Sequence, residues 1–328
     1  MYMNEHFSQL HDIFRSKQSF VITTHVNPDA DAIGSEVALA LYLKAKGKDV
    51  LIINQSETPD HLKFLTSLFP VHLYNGNLDY HILHAECFCV VDTNSPKRFS
   101  AMAETVRKSN AFKVCIDHHL EHEPFADFYV IDTDVPAASE LLYRIFSSEN
   151  PDAITEPIAR ALYAGIMTDT GSFKFPKTDP ETHTITADLL KRGVDPYSVY
   201  QSIYESGEIN KLHLLGKALE RIELHHNGKI ASMALPRTVF AETGTNESDV
   251  DNMTQYVLSI KDVVVGLVFV ELADGVKVSF RSKGDIAINS VAKHFGGGGH
   301  KNASGARLKN IGLLDAVALV IEKTKEAL

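Results

Sequence analysis

Short runs of apolar residues alternate with segments of helical periodicity over the first half of the chain. Five apolar runs predict strands at residues 19–24, 49–53, 86–91, 112–116 and 128–131. Several of these runs have no polar interruption, which is typical of strands buried on both faces. Helical patterns are found at residues 32–46, 101–109, 137–146 and 155–166. Strands that alternate with helices predict an α/β fold with a doubly wound parallel sheet.

The pattern changes after residue 166. Helical periodicity continues through residues 181–191, 196–205 and 210–220, and strands are then predicted at residues 229–235, 263–272 and 276–281. The dipeptides Asn227-Gly228 and Asp274-Gly275 are typical of turns between strands. We therefore predict an N-terminal domain over residues 1–191, a helical linker over residues 192–214, and a smaller C-terminal α/β domain over residues 215–328.

Carboxylate and imidazole side chains follow the predicted strands of the first domain. Ligands of doubly wound sheets bind beyond the carboxyl ends of the strands, so these side chains are expected to meet at one rim. They are His25, Asp29 and Asp31 after the first strand, Asp92 after the third, Asp117, His118 and His119 after the fourth, and Asp169 just after the helix that ends at residue 166.

So many carboxylates at one place would repel each other unless cations were bound between them. We therefore predict a site for two divalent ions. A mixed set of carboxylate and imidazole ligands suits Mn²⁺ better than Mg²⁺. A hydroxide held between two such ions is nucleophilic at neutral pH, and the ions stabilise the attacking and leaving oxygens of a phosphoryl group.

Simpler interpretations exist for the single residues. Asp31 precedes an apolar helix and, taken alone, is more readily interpreted as the N-cap of that helix. Asp92 and Asp117, taken singly, could end strands or start turns. The metal interpretation depends on position, because three of these motifs each follow a separate predicted strand.

A second group of candidate residues lies in the smaller domain. Four glycines, Gly296 to Gly299, follow a predicted helix over residues 286–295 and precede His300. A helix C-cap needs about one glycine, so the run predicts either an anion-binding nest of backbone N–H groups or a flexible loop. Arg281 ends a predicted strand just upstream, and a guanidinium group is a bidentate partner for phosphate.

Charge divides the chain into two unequal parts. The 328 residues carry a formal net charge of −10, which argues against a protein that coats long duplex DNA. Residues 276–309 nevertheless hold seven basic residues and one acidic residue, for a local charge of +6 against −16 elsewhere. A basic segment and an acidic, metal-loaded domain predict a clamp for a small polyanion.

Composition also bears on the compartment. The longest apolar stretch, residues 263–270, is shorter than the ~20 residues that cross a bilayer. The N-terminus lacks the apolar core of a secretory signal, and the three cysteines lack CxxC spacing. We therefore expect a cytoplasmic protein with no membrane partner.

The motifs and their order resemble the DHH/DHHA1 phosphoesterase family over nearly the whole chain. The HxxPDxDAxGS pattern lies at residues 25–35, the VDT motif at 91–93, the DHH motif at 117–119, the TDTG motif at 168–171 and the GGGH signature at 297–300. Among its members, the two-domain arrangement is most similar to bacterial nano-RNases that are also phosphatases of 3′-phosphoadenosine 5′-phosphate (PAP). No basic Ser-Arg-Lys-Lys cluster of the family II pyrophosphatases is present.

The resemblance implies a role for each matching residue. One metal ion would be held by His25, Asp29 and Asp92, and a second by Asp31, Asp92, His118 and Asp169. Asp117 would orient the DHH loop, and His119 would contact the scissile phosphate or the leaving oxygen. Arg281, Gly297, Gly298, Gly299 and His300 would bind the terminal nucleotide or its non-scissile phosphate. Arg98 could hold phosphate or be solvated, and Phe173 and Phe175 could stack a base, although we favour the core for both.

The resulting hypothesis is a cytoplasmic, Mn²⁺-dependent phosphodiesterase that hydrolyses short single-stranded RNA and dephosphorylates PAP through a hydroxide bridging two metal ions. Two alternatives stay open. One is a relative that hydrolyses the dinucleotide pApA or cyclic di-AMP, and the other is a nucleotide-binding regulator without catalytic activity. The preferred substrate, the cleavage polarity and a homodimeric state are left open.

Overall fold

The computed structural model describes residues 2–120, 123–250 and 253–328. The chain forms two compact units, Met1–Ser206 and Gly207–Leu328. The division between the units falls inside the segment predicted as the linker, and the domain boundaries of the sequence analysis stay a prediction.

Six parallel strands form the sheet of the first unit, in the order β3-β2-β1-β4-β5-β6. The strands are β1 (Ser19–Thr23), β2 (Asp49–Asn54), β3 (Val71–Leu73), β4 (Cys87–Val91), β5 (Phe112–Asp117) and β6 (Phe128–Ile131). The helices of the unit are α1 (Tyr2–Ser16), α2 (Ala30–Ala45), α3 (Lys63–Thr66), α4 (Asp79–His84), α5 (Ser100–Lys108), α6 (Ala138–Glu149), α7 (Glu156–Asp169), α8 (Pro180–Lys191) and α9 (Pro196–Tyr204). The predicted α/β fold with a doubly wound parallel sheet is confirmed.

Strand β4 shows why its sequence has no polar interruption. Every residue of this strand is buried. Cys87, Cys89 and Val91 pack into the core on one face of the sheet, and Phe88 and Val90 pack into a separate core on the other. Strand β4 lies beside β1, and this pair is the point where the strand order reverses. Ligands bind at such a switch point, beyond the carboxyl ends of the strands.

Helices α2 and α7 approach each other closely at Gly34. A Cβ atom built on this residue would lie 2.5 Å from the carbonyl oxygen of Ala161. Because that neighbour is backbone, it cannot move aside cheaply. We expect Gly34→Ala to lower the free energy of unfolding by about 1–3 kcal/mol, as overpacking does. Urea unfolding measures the effect.

Gly76 is the matched control for this prediction. It is exposed, and a Cβ atom there would meet nothing within 4 Å. Gly76→Ala should be neutral or raise stability by up to about 1 kcal/mol, because alanine restricts the unfolded chain. Equal stabilities of the two variants would contradict the close approach of the helices.

The second unit contains a mixed six-stranded sheet with helices on both faces. Its strand order is β11-β12-β10-β9-β8-β7, and β8 and β9 are its parallel pair. The strands are β7 (Ile222–His225), β8 (Ile230–Leu235), β9 (Val265–Glu271), β10 (Gly275–Ser282), β11 (Gly298–His300) and β12 (Ala303–Lys309). The helices are α10 (Ile209–Leu219), α11 (Arg237–Thr243), α12 (Thr254–Ser259), α13 (Ile288–His294) and α14 (Leu313–Lys325). Helices α13 and α14 pack on one face, and α10, α11 and α12 pack on the other.

No helix in the described ranges combines the length and the apolar character that a bilayer span requires.

Candidate metal centre and substrate site

The carboxylates and imidazoles predicted from the strand ends meet at the carboxyl edge of the first sheet. Their potential ligand atoms form three overlapping groups, within each of which all atoms lie within 4.8 Å of one another. The groups are His25, Asp29 and Asp92; Asp31, His118 and Asp169; and Asp92, Asp117, His118 and His119. The structure therefore brings together every residue that the sequence assigns to this rim.

Asp92 lies at the centre of the cluster. Its Oδ2 atom lies 3.4 Å from Nε2 of His25, and its Oδ1 atom lies 3.3 Å from Nε2 of His118. The side chain is almost fully buried, and its backbone has a left-handed φ of 55° directly after β4. Such a conformation costs a non-glycine residue about 1–2 kcal/mol and is tolerated best by Asp and Asn. The two carboxylate oxygens thus face two different histidines.

Asp29 and Asp31 are held by backbone N–H groups. Oδ1 of Asp29 accepts hydrogen bonds from the backbone N–H groups of Asp31 and Ala32, so Asp29 is the N-cap of α2. The simpler interpretation of Asp31 as this N-cap is wrong. Asp31 instead accepts hydrogen bonds at 2.6 and 2.9 Å from the N–H groups of Ala138 and Ser139, at the start of α6. Each carboxylate is therefore fixed in position.

His118 connects the cluster to the end of α7. Its Nε2 atom lies 3.4 Å from Oδ2 of Asp169 and 3.9 Å from Oδ2 of Asp31. Asp169 is the last residue of α7, whereas His118 follows β5 directly. Strand β5 and helix α7 thus supply ligand atoms to the same group.

The other histidine of the DHH motif has a different environment. Nδ1 of His119 lies 2.7 Å from Oδ1 of Asp117, which is the last residue of β5. Asp117 is fully buried, and His119 is about one-quarter exposed. Asp117 therefore orients the imidazole of His119 rather than that of His118.

Burial and mutual repulsion make the cluster electrostatically unfavourable. Burial, with the neighbouring charge of Asp92, raises the pKa of Asp31 to about 7. The same two causes raise the pKa of Asp29, and burial together with the surrounding aspartates raises that of Asp169. Although burial opposes a charge on His118, contact with Asp92 raises the pKa of this imidazole to about 10. Without metal, the groups whose pKa is raised bind protons more tightly in the folded protein than they would in water.

The buried polar atoms of the cluster fit a divalent cation. Oδ1 of Asp92 and both ring nitrogens of His118 are buried without a hydrogen bond to any described residue. Orphaned buried polar atoms are rare in native proteins and call for a bound ion or water. Carboxylate oxygens together with imidazole nitrogens are ligands that transition-metal ions accept. This part of the sheet edge can therefore hold divalent metal.

Arg98 is positioned beside the cluster by a residue that the sequence analysis missed. Nε2 of Gln55 donates to the backbone carbonyl of Arg98 at 2.8 Å, and the N–H of Val26 donates to the same oxygen. Oε1 of Gln55 accepts from the N–H of Ala101. Gln55 directly follows β2, so its position after a predicted strand was the signal that could have identified it.

Arg281 and His300, two of the predicted substrate residues of the second unit, share one face of its sheet. Arg281 on β10 and His300 on β11 both lie opposite Ala303 on β12. Residues in direct register point to the same face, and strands lie about 4.8 Å apart, so the two backbones are separated by roughly 10 Å. The next positions on this face are Ser279, Gly305 and Gly298. Small residues therefore lie beside Arg281 and His300.

The glycine run, for which the sequence left an anion-binding nest and a flexible loop open, contributes a short strand in the structure. Gly298 to His300 form β11 and pair with β12. A Cβ atom on Gly297 or Gly299 would lie 2.1 or 2.5 Å from a carbonyl oxygen of the neighbouring strand, whereas one on Gly298 would meet nothing within 4 Å. Close strand contact therefore explains Gly297 and Gly299 but not Gly298.

Phe173 and Phe175 have different environments. Phe173 packs against the core of the first unit, as favoured from the sequence, but Phe175 is 50% exposed. The expectation of a core position is wrong for Phe175.

The fold and the cluster together define a doubly wound α/β protein with a candidate metal centre at the switch point of its sheet. Residues 19–166 match the model of the DHH family, N-terminal domain, and residues 227–328 match that of the DHHA1 domain. The chain belongs to the DHH family, and the predicted DHH/DHHA1 membership is confirmed.

Known proteins resemble this chain over most of its length. It is 30% identical over 307 residues, covering 94% of this chain and 89% of the relative, to the bifunctional oligoribonuclease and PAP phosphatase NrnA of Thermus thermophilus. Identity to the Bacillus subtilis protein of the same name is 29% over 292 residues, covering 88% and 89% of the two chains. The crystal structure of an exopolyphosphatase-related protein from Bacteroides fragilis has a TM-score of 0.92 and 29% identity, covering 98% of this chain and 95% of that one.

Proposed function

We propose that this protein is a phosphodiesterase that requires two divalent ions, with Mn²⁺ preferred, and hydrolyses RNA oligomers of a few nucleotides. We propose that it also dephosphorylates PAP. The observation that carries the proposal is the position of Asp92, whose two oxygens face His25 on one side and His118 on the other. This is the arrangement that a carboxylate bridging two ions needs. The names of the relatives from Thermus thermophilus and Bacillus subtilis support the substrate class.

The proposed ligands form two groups, one for each ion. His25, Asp29 and Asp92 would hold one ion, and Asp31, Asp92, His118 and Asp169 the other. Bound divalent ions lower the pKa of water and neutralise charge that develops on a phosphoryl group. Asp29 and Asp31 are held by N–H groups at helix N-termini, so these carboxylates need little reorganisation when ions and substrate bind.

His119 is the proposed contact to the scissile phosphate or the leaving oxygen. Its Nδ1 atom is bonded to Asp117, so Nε2 is the atom that we propose faces the substrate. A carboxylate partner fixes the tautomer and orientation of an imidazole. Arg98, whose backbone is held by Gln55, would add a positive charge for phosphate.

Turnover of three substrates by one preparation tests the function. We expect hydrolysis of a five-nucleotide RNA and of PAP in manganese. Strong preference for pApA over both would favour the alternative activity of a pApA or cyclic di-AMP phosphodiesterase. A protein that binds metal and nucleotide but hydrolyses none of the three would be the regulator.

Arg281 provides a separate prediction about substrate binding. A charge-assisted hydrogen bond contributes about 1.5–3 kcal/mol, so Arg281→Ala should raise KM for the RNA by roughly 10- to 100-fold. It should also weaken the salt dependence of KM, because one phosphate contact is lost. Arg107→Ala, which removes an exposed arginine on α5, is the control. Unchanged KM and salt dependence in Arg281→Ala would argue against this role.

A further inference from the structure

A surface of aromatic and cationic side chains adjoins the metal centre at Asp169. It consists of Lys174, Phe175, Tyr200 and Tyr204, and we refer to it as the aromatic surface. The three rings are 50%, 42% and 46% exposed for Phe175, Tyr200 and Tyr204, respectively. Large aromatic side chains exposed together need an explanation, because isolated ones are ordinary but contiguous patches mark binding sites.

The aromatic surface is attached to the metal centre through a rigid turn. Asp169 is the last residue of α7. After Thr170, the residues Gly171, Ser172 and Phe173 have left-handed φ angles of 59°, 61° and 65°. Ser172 and Phe173 are adjacent L-residues in this conformation, which is unusual because L-residues normally adopt it singly. Strained backbone persists where surrounding contacts over-determine it, and it clusters at ligand sites.

Hydrogen bonds around Thr170 fix this turn. The N–H of Phe173 donates to Oγ1 of Thr170 at 3.0 Å, and the N–H groups of Lys174 and Phe175 both donate to the Thr170 carbonyl at 3.0 Å. The N–H of Ser172 donates to the carbonyl of Met167 at 2.8 Å. The turn therefore presents its side chains in one conformation, and little conformational entropy is lost when a ligand binds them.

Both aromatic elements lie against the turn. A Cβ atom built on Gly171 would lie 2.6 Å from the ring of Phe175, so that ring packs directly on the glycine. Tyr204, at the end of α9, lies beside Ser172 and within electrostatic reach of Asp169. Tyr200 is one helical turn before Tyr204, with their ring centroids 4.8 Å apart. The aromatic surface is thus continuous with the Asp169 side of the metal centre.

Its chemistry fits single-stranded nucleic acid. Nζ of Lys174 lies 5.6 Å from the centroid of the Phe175 ring, which places a cation beside an exposed π face. Proteins that bind single strands without sequence preference combine rings that stack on bases with cations that follow the phosphates. The aromatic surface contains both kinds of group, next to the place where we propose that phosphodiester bonds are cleaved.

We infer that the aromatic surface stacks the nucleobases of the RNA that follow the nucleotide at the metal centre, with Lys174 contacting the backbone between them. This inference rests on the proposed function and identifies how an oligomer is distinguished from a single nucleotide. A substrate with one base has no following bases to stack on the aromatic surface, whereas an oligomer has several.

Ring-preserving and ring-removing variants separate stacking from packing. Tyr200→Leu and Tyr204→Leu retain apolar bulk but have no π face, whereas Tyr200→Phe and Tyr204→Phe retain the ring. The measured quantity is the ratio of kcat/KM for a five-nucleotide RNA to that for an abasic RNA of the same length. Stacking one base changes affinity by about 5- to 100-fold, so the wild-type ratio should be in that range. The leucine variants should move it towards one, and the phenylalanine variants should keep it.

Tyr80→Leu is the matched control. Tyr80 is 64% exposed on α4, and its ring stacks on His84 instead of lying against the turn. This variant should keep the wild-type ratio. If both leucine variants also keep it while the wild type hydrolyses RNA, the stacking inference is wrong and the proposed function stands. If the wild type hydrolyses no RNA, the proposed function itself fails.

Discussion

Asp92→Asn should lower turnover by about three orders of magnitude and remove most of the response of the protein to divalent metal. Asp92 is the residue whose two oxygens face both ligand groups, so a neutral amide there weakens both proposed ion sites at once. Metal ions contribute several kcal/mol of charge stabilisation in a phosphoryl-transfer transition state. Loss of roughly 4 kcal/mol corresponds to a decrease in kcat of about 10³-fold. Steady-state turnover in manganese measures the loss.

The backbone of Asp92 determines which substitution is informative. Its φ of 55° is left-handed, and Asn tolerates this conformation far better than Ala. Asp92→Ala would add about 1–2 kcal/mol of backbone strain to the loss of the ligand. Asp152→Asn, which removes an exposed carboxylate elsewhere in the first unit, is the control. Near-native turnover of Asp92→Asn in manganese would refute the proposed mechanism.

The position of the cluster was predictable because it depends on strand ends. His25, Asp92 and His118 each follow a short apolar run, and the carboxyl ends of parallel strands meet at one edge. The left-handed backbone at Asp92 was not predictable, because an aspartate after a strand is compatible with both extended and left-handed backbone. The hydrogen bonds that hold Asp31 were not predictable either, since their donors lie 107 and 108 residues away in the sequence.

Two elements of the fold, helix α1 and strand β11, were not predicted from the sequence, each for its own reason. Helix α1 was missed, although Phe7, Leu10 and Phe14 lie at helical spacing and are buried. The polar residues between them hid this stripe. Strand β11 was not predicted, because glycine disfavours strands and the run was interpreted as either an anion-binding nest or a flexible loop. In the structure the absence of side chains at Gly297 and Gly299 is what permits the close approach of β12.

Metal addition should raise the thermal stability of the protein, and more strongly at high pH than at low pH. At an ion concentration of about 1,000 times Kd, binding to the folded state adds roughly 4 kcal/mol to the free energy of unfolding. For a unit of this size that corresponds to an increase in Tm of about 8–16 °C. Calorimetry after chelation, with and without added manganese, measures the difference.

The direction of the pH dependence follows from the buried groups. The pKa of Asp31 is raised from an ordinary value of 3.8 to about 7, so the metal-free fold loses stability as the pH rises through that interval. The pKa of His118 is raised from 6.5 to about 10, so its stabilising contribution is complete below pH 6.5 and is lost as the pH rises towards 10. Both groups therefore make the metal-free protein less stable at pH 8.5 than at pH 5.5.

Bound ions would replace these protons, and this exchange is what the experiment detects. Metal binding requires Asp31 ionised and His118 neutral, so protons are released and affinity rises with pH. The metal-dependent increase in Tm should therefore be larger at pH 8.5 than at pH 5.5, and titration calorimetry in buffers of different ionisation enthalpy should show proton release. Asp92→Asn should lose most of both responses. An equal increase in Tm at every pH, without proton release, would mean that the ions bind outside this cluster, because its buried carboxylates can accept a cation only by giving up the protons that now reduce their repulsion.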